Sequence, residues 1–152
     1  MDKKRVKELA GISDTKLVSA FPGCGKSYFF KNNKELNTLD SDSSGFDKRN
    51  FPDNYIKHIK ENIGKADIIF ISSHKEVRDA LVDNGLKFTL IYPNKSIKKE
   101  FIQRYIDRGN EDSFVKLLEE NWDNWLGELK DQDGCDHITL SSGEFISDKL
   151  DY

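Results

Sequence analysis

The chain is poor in cysteine and proline and has no long apolar run. Its 152 residues include two cysteines and three prolines. The two thiols, Cys24 and Cys135, do not suggest a disulfide framework. No apolar stretch approaches the length of a membrane span, and the basic segment Met1–Arg5 has no apolar stretch behind it. We therefore expect a cytoplasmic protein with free thiols and no contact with a membrane.

The charge balance lacks a basic excess. The 24 lysines and arginines are outweighed by 27 aspartates and glutamates, which gives a formal net charge of −3. Proteins dedicated to duplex binding usually carry a basic excess. Nucleic acid stays open as a substrate, but we do not expect a general charge footprint for it. The length suits one domain, and we expect residues 1–152 to form it.

Apolar runs alternate with helical patterns along the chain. We predict helices between successive short strands, which are expected at 17–20, 36–40, 68–71, 88–92 and 137–140. This alternation indicates an α/β fold, in which helices cover both faces of a mainly parallel sheet. The last long helix has Phe114, Trp122 and Trp125 on its apolar stripe, and we expect both tryptophans to pack in the core. Ligands of such sheets gather at the carboxyl ends of the strands, so the residues that follow each strand are candidates for a site.

The most specific pattern lies just after the first predicted strand. Residues Ala20–Ser27 fit the sequence [AG]-x-x-x-x-G-K-[ST], and a helical segment, Tyr28–Glu35, follows. Such a loop directs backbone N–H groups at anionic oxygens. It predicts binding of ATP or another nucleoside triphosphate by Pro22, Gly23, Cys24, Gly25, Lys26, Ser27 and Tyr28.

Individual residues of this loop have separate expected roles. Lys26 would neutralise the β- and γ-phosphates, and the Ser27 hydroxyl would ligate Mg²⁺. Gly23 and Gly25 would allow backbone conformations and a close approach that a side chain blocks. Cys24 is either a thiol whose pKa a helix N-terminus lowers or a small residue at an unconstrained position.

Two carboxylates end the second predicted strand, in Asp40-Ser41-Asp42. Side chains at i and i+2 of a strand share a face, so both would approach the metal and an acceptor hydroxyl. We expect Asp40 to hold Mg²⁺ through water and Asp42 to take the acceptor proton. The alternative is a solvated turn. The third strand is followed by Ser72-Ser73-His74, without a carboxylate, which argues against a work-producing ATPase.

Polar and basic side chains follow the third and fourth strands. Ser72, His74 and Arg78 are candidates for acceptor binding. Arg104 and Arg108 are four residues apart on a predicted helix and would converge on one anionic target. An arginine over the developing charge assists phosphoryl transfer. The alternative for the arginines is a solvated helix face.

The whole pattern resembles the small P-loop kinases, which include nucleoside monophosphate, gluconate and shikimate kinases, and it also resembles small phage-borne kinases. Phe21–Ser27 is similar to the proline-containing loop of adenylate kinases and of the polynucleotide kinase domain. Asp40–Asp42 resembles the Asp-x-Asp of many small-molecule kinases, and Ser72–Leu81 resembles a stretch of gluconate kinases. The resemblance covers about Leu17–Phe114 in consistent order. It implies a three-layer P-loop NTPase fold with a five-stranded core, ATP, Mg²⁺ and a lid at about 94–113.

These observations favour an ATP-dependent phosphotransferase that acts on a nucleotide-like or other small acceptor. A kinase for a hydroxyl of nucleic acid is a second hypothesis, because the loop resembles that of polynucleotide kinase. A nucleotide-binding NTPase or switch is a third, of a different class. The sequence does not specify the acceptor.

Overall fold

A computed structural model of the protein describes residues 15–41 and 45–150. Within them five strands form one parallel sheet: β1 (Lys16–Ala20), β2 (Thr38–Ser41), β3 (Ile68–Ile71), β4 (Thr89–Pro93) and β5 (Asp136–Leu140). The strands lie side by side in the order β2-β3-β1-β4-β5. The predicted α/β fold, with a five-stranded parallel sheet of the P-loop NTPase type, is confirmed.

Helices connect the strands and cover both faces of the sheet. They are α1 (Lys26–Asn32), α2 (Asp53–Asn62), α3 (Lys75–Asp83), α4 (Lys98–Asp107), α5 (Asp112–Lys130) and α6 (Ile146–Lys149), with a 3₁₀ turn at Lys95–Ile97. The step from β1 to β2 crosses the sheet in the direction opposite to the later steps. Right-handed connections therefore place α1 on one face and α2 to α5 on the other. In agreement, α1 contacts α6, α2 contacts α3, and α4 contacts α5.

The core follows the apolar pattern of the sequence. All four residues of β3 are buried, as expected for a parallel strand covered on both faces. Trp122 is fully buried, with its ring edge-on to Phe21 at 5.9 Å and its Nε1 donating to the Lys95 carbonyl oxygen at 3.0 Å. Its predicted core position is confirmed. Trp125 is only half-buried, and Phe114 on the same predicted stripe is 36% exposed, so the stripe is wider than the core it covers.

Several boundaries differ from the prediction. Helix α1 begins at Lys26 instead of Tyr28, and β2 begins at Thr38 instead of Leu36. Strand β4 was predicted to end at residue 92, but Pro93 is its last residue, paired with Leu140. The proline is tolerated there because the next bond of the ladder comes from the N–H of Asn94, which donates to the Leu140 carbonyl oxygen at 2.9 Å.

The connection that follows β1 and the connection that follows its neighbour β3 run toward opposite edges of the sheet. Strand β1 lies at the centre of the sheet, between β3 and β4, and the chain passes from β3 to β4 across it. This reversal creates a crevice at the carboxyl ends of the three strands, where open α/β sheets bind their ligands. The loop that follows β1 lies at this crevice. In the described part of the chain, no helix combines the length and the apolarity of a membrane span.

Candidate active site

The loop between β1 and α1 adopts a conformation that requires glycine at two positions. Gly23 has φ 89° and Gly25 has φ 97°, both in the left-handed region. A Cβ on Gly23 would lie 2.8 Å from the Tyr105 ring, and one on Gly25 would lie 2.8 Å from the Phe145 ring. The predicted need for glycine is confirmed, and packing against these two rings adds to the backbone requirement.

The carbonyl oxygens of the loop accept hydrogen bonds from other elements of the fold. Tyr105 Oη donates to the carbonyl oxygen of Pro22 at 2.8 Å. The N–H of Ile146 donates to the carbonyl oxygen of Cys24, also at 2.8 Å. By contrast, none of the backbone N–H groups of residues 23–27 donates a hydrogen bond to another described residue. The loop thus has its acceptors occupied and its donors available, which is the arrangement that binds anions.

Arg104 fixes the loop to the rest of the protein. Its guanidinium donates to the carbonyl oxygens of Gly23 and Glu144, both at 2.9 Å, and to the Glu100 carboxylate at 3.2 Å. It lies 4.2 Å from the centre of the Phe101 ring and 4.0 Å from that of Phe145, so cation–π attraction adds to the hydrogen bonds. The side chain is only 13% exposed.

Arg108 is placed differently, although it lies one turn further along. It follows the last residue of α4, and its side chain is exposed. Its guanidinium has no hydrogen-bond or ion-pair partner among the described residues, and only its backbone N–H is bonded, to the Arg104 carbonyl oxygen at 3.0 Å. Both arginines line the cavity in front of the loop. The pair that was predicted to converge therefore divides into one side chain with protein partners and one without.

The cavity in front of the loop has a volume of about 740 Å³. The residues that line it include most of the predicted site: Pro22, Gly23, Cys24, Gly25, Lys26, Ser27, Tyr28, Asp40, Ser72, His74, Arg104 and Arg108. Asp42 lies outside the described residues. Arg78 does not line this cavity but a neighbouring one. Apart from these two, the structure brings the predicted residues together at the carboxyl end of the sheet.

Lys26 and Asp40 form an ion pair inside this cavity. The Lys26 ammonium lies 2.9 Å from Asp40 Oδ1, and each side chain is 43% exposed. The Ser27 hydroxyl lines the same cavity. No group of three or more His, Cys, Asp or Glu side chains in residues 15–41 and 45–150 could hold a metal alone. A hydroxyl with one carboxylate fits Mg²⁺, which keeps several waters and binds chiefly to substrate phosphates.

Cys24 is a buried residue of the loop. Burial raises the pKa of its thiol to about 12, and its sulfur lies 3.9 Å from the Ile91 carbonyl oxygen. The alternative in which a helix N-terminus lowers this pKa is therefore wrong. Desolvation outweighs the favourable effect of Arg104 on the thiolate.

A second cavity, of about 330 Å³, adjoins the first between α3 and α5. The two share Phe21, Pro22, Ser73, His74 and Phe114 in their walls. Sequence reasoning missed Ser73 and the apolar wall of this cavity, because the helical spacing of the wall residues is the same as that of core residues. It also missed the contacts between the loop and the segment after β5, for which no local pattern exists.

Comparison with known proteins adds no assignment to this geometry. A scan against models of protein families and a search of curated proteins both find no match for the chain. The function therefore has to be argued from the loop, the ion pair and the two cavities.

Proposed function

We propose that the protein is an ATP- and Mg²⁺-dependent phosphotransferase, which moves the γ-phosphoryl group to a nucleotide-like or other small acceptor. The observation that carries this proposal is the loop after β1. The backbone N–H groups of residues 23–27 have no acceptor among residues 15–41 and 45–150 and lie beside Lys26, in a cavity of about 740 Å³. Unpaired donors next to a fixed ammonium favour a chain of phosphates over a neutral ligand.

The side chains of the first cavity have distinct roles in this proposal. Lys26 binds the β- and γ-phosphates and exchanges its Asp40 partner, at 2.9 Å, for phosphate oxygens. Ser27 and Asp40 would hold Mg²⁺, which supplies neutralisation of charge on the phosphate oxygens. Asp42, which lies outside the described residues, is proposed from the sequence alone to take the proton of the acceptor hydroxyl.

The two arginines act at different places. Arg104 holds the loop in its binding conformation through the Gly23 carbonyl oxygen. Arg108 lines the cavity and has an exposed guanidinium with no partner in the described part of the chain, so it can bind the oxygens of the transferred group.

Product mapping tests the proposal. The protein is incubated with ATP labelled in the γ-phosphate, together with a metabolite extract, DNA and RNA oligonucleotides, or buffer alone. Label on a small molecule supports the proposal. Label on an oligonucleotide favours the nucleic-acid kinase instead, and label only in free phosphate favours an NTPase.

A pair of lysine variants provides the control for this assay. Lys26→Ala should abolish transfer without loss of the fold, because the ammonium acts on the phosphates. Lys31→Ala removes an exposed lysine from the same helix, and transfer should stay at the level of the unmodified protein. Full transfer by the Lys26 variant would contradict the proposal.

A further inference from the structure

The second cavity has the size and the wall of a site for one ring system. Its volume of about 330 Å³ lies at the lower end of the range for small-molecule sites. Apolar side chains, including Phe114, Leu117, Trp125 and Leu129, form much of its wall. Leu117 is 49% exposed, so the wall continues to the surface of the protein. Such a wall favours a flat apolar ring over a sugar or a sugar acid, whose hydroxyl groups would lose water there.

Arg78 brings a buried guanidinium to this cavity. The residue is only 3% exposed. Its Nε donates to the Ser73 carbonyl oxygen at 3.0 Å, and its Nη1 donates to Gln132 Oε1 at 2.8 Å and to the Glu128 carbonyl oxygen at 3.5 Å. The nearest carboxylate oxygen to Nη2 is Glu128 Oε2 at 4.0 Å, which is beyond hydrogen-bond distance. Nη2 therefore has no acceptor among the described residues.

Arg78 is one of the polar residues that line the second cavity. Its Nη2 donates no hydrogen bond to the described residues, and a guanidinium has five N–H donors to satisfy. A ligand oxygen in the cavity would supply an acceptor for this group.

Arg78 and Glu128 together present a donor next to an acceptor. The Glu128 carboxylate also lines the cavity. A ring edge that matches this pair has a carbonyl oxygen beside an N–H group, as guanine, thymine and uracil do. Adenine and cytosine present an amino group beside a ring nitrogen that accepts, which is the reverse order. With the sugar toward the loop after β1, adenine and cytosine could match the pair only after half a turn about the bond between base and sugar, so one fixed orientation favours guanine, thymine and uracil.

We propose that the second cavity is the acceptor site and binds a nucleobase whose carbonyl faces Arg78 and whose ring N–H faces Glu128. This inference rests on the proposed function, because the site is an acceptor site only if the protein transfers a phosphoryl group. The shared walls at Ser73, His74 and Phe114 bring the acceptor to the phosphate loop. The base belongs to a nucleoside, to a nucleoside monophosphate or to the end of a nucleic-acid strand, and the test distinguishes these sources.

Direct binding measurements test this inference without turnover. Calorimetric titrations use thymidine, deoxyguanosine, deoxyadenosine and deoxycytidine, with thymidine monophosphate and a thymidine-ended oligonucleotide as further arms. Thymidine and deoxyguanosine should bind at least about tenfold more tightly than the other two nucleosides. Tighter binding of the monophosphate, or of the oligonucleotide, supports the site and identifies the source. Equal binding of all four nucleosides, or no binding of any at millimolar concentration, overturns the inference.

Variants with matched controls locate the binding. Glu128→Gln and Arg78→Lys should each abolish the preference for thymidine, whereas Glu120→Gln on the same helix should retain it. Leu117→Asp should weaken thymidine binding at least about tenfold by charging the apolar wall, and Ile106→Asp at a similarly exposed position (53%) should not. Retention of the preference in Glu128→Gln, or of the affinity in Leu117→Asp, would overturn the inference even if Arg78→Lys fails to fold.

A parallel titration with a non-hydrolysable ATP analogue separates the two proposals. If the analogue binds and no nucleoside does, the acceptor site is wrong and the phosphotransferase proposal stands. If thymidine binds selectively and the analogue does not, the phosphotransferase proposal is wrong and the site remains a nucleobase-binding site.

Discussion

Replacement of Arg104 by methionine should destabilise the loop after β1, whereas the same replacement of Arg108 should not. Methionine keeps an unbranched apolar chain between the Phe101 and Phe145 rings but removes the charge and every donor. In the Arg104 variant the carbonyl oxygens of Gly23 and Glu144 lose their partner. Arg108→Met is the matched control, since that side chain has no partner among the described residues.

The size of the effect follows from the three lost hydrogen bonds of Arg104. Hydrogen bonds to charged groups contribute about 1.5–3 kcal/mol each. The freed carbonyl oxygens regain part of this from water at the edge of the cavity, and the Glu100 partner is 31% exposed. We therefore expect the free energy of unfolding to fall by roughly 2–4 kcal/mol. In a chain of this length that lowers the Tm by roughly 5–15 °C.

Two measurements on each variant test the prediction. Thermal unfolding should show the lower Tm for Arg104→Met and no change beyond about 2 °C for Arg108→Met. Calorimetry with Mg²⁺ and an ATP analogue should show weaker binding for Arg104→Met, because the loop N–H groups lose their fixed positions. An unchanged Tm and an unchanged affinity in Arg104→Met would refute the role of this residue as the support of the loop.

Three further predictions concern single side chains. Asp40→Asn should lower the transfer rate about 10–100-fold while the ATP analogue still binds, because Asp40 is proposed to hold Mg²⁺ through water; full turnover would contradict the assigned role. Burial raises the pKa of Cys24 to about 12 and raises the pKa of Cys135, so at pH 8 a disulfide reagent should modify both at least about tenfold more slowly than after unfolding. Hydrogen bonds from the segment after β5 lower the pKa of Glu100, so its carboxylate stabilises the fold above its ordinary pKa and loses this effect as the pH falls through the lowered value. Glu100→Gln should therefore be less stable than the unmodified protein at pH 7 in urea titrations, with a difference that disappears in acid; a difference that persists there would contradict the argument.

The strands and the conformation of the loop after β1 could be predicted because each depends on residues that are adjacent in the chain. The bounds of β3, Ile68–Ile71, agree with its apolar run, and the loop pattern predicted two glycines whose conformations the structure confirms. Strand ends depend on pairing instead. Pro93 remains in β4 because β5 extends to its partner Leu140, and β5 comes more than 40 residues later in the chain.

The supports of the loop could not be predicted from local patterns. Arg104 and Gly23 are 81 residues apart in the chain, and neither the spacing nor the type of either residue indicates their contact. Phe101 and Tyr105 have the same helical spacing whether they face a core or the back of a loop. Periodicity also does not distinguish a core residue such as Trp122 from Trp125, which lines a cavity. Only the positions of α3 and α5 separate these roles.

The central claim is that the loop after β1 binds a triphosphate through its backbone N–H groups. At 17.5 kDa the protein suits two-dimensional amide NMR, and a titration with Mg²⁺ and a non-hydrolysable ATP analogue measures this directly. We expect the largest shifts at the amides of Gly23, Gly25, Lys26 and Ser27, and their loss in Lys26→Ala. Saturable shifts confined to other parts of the chain, or none at millimolar nucleotide, would contradict the account.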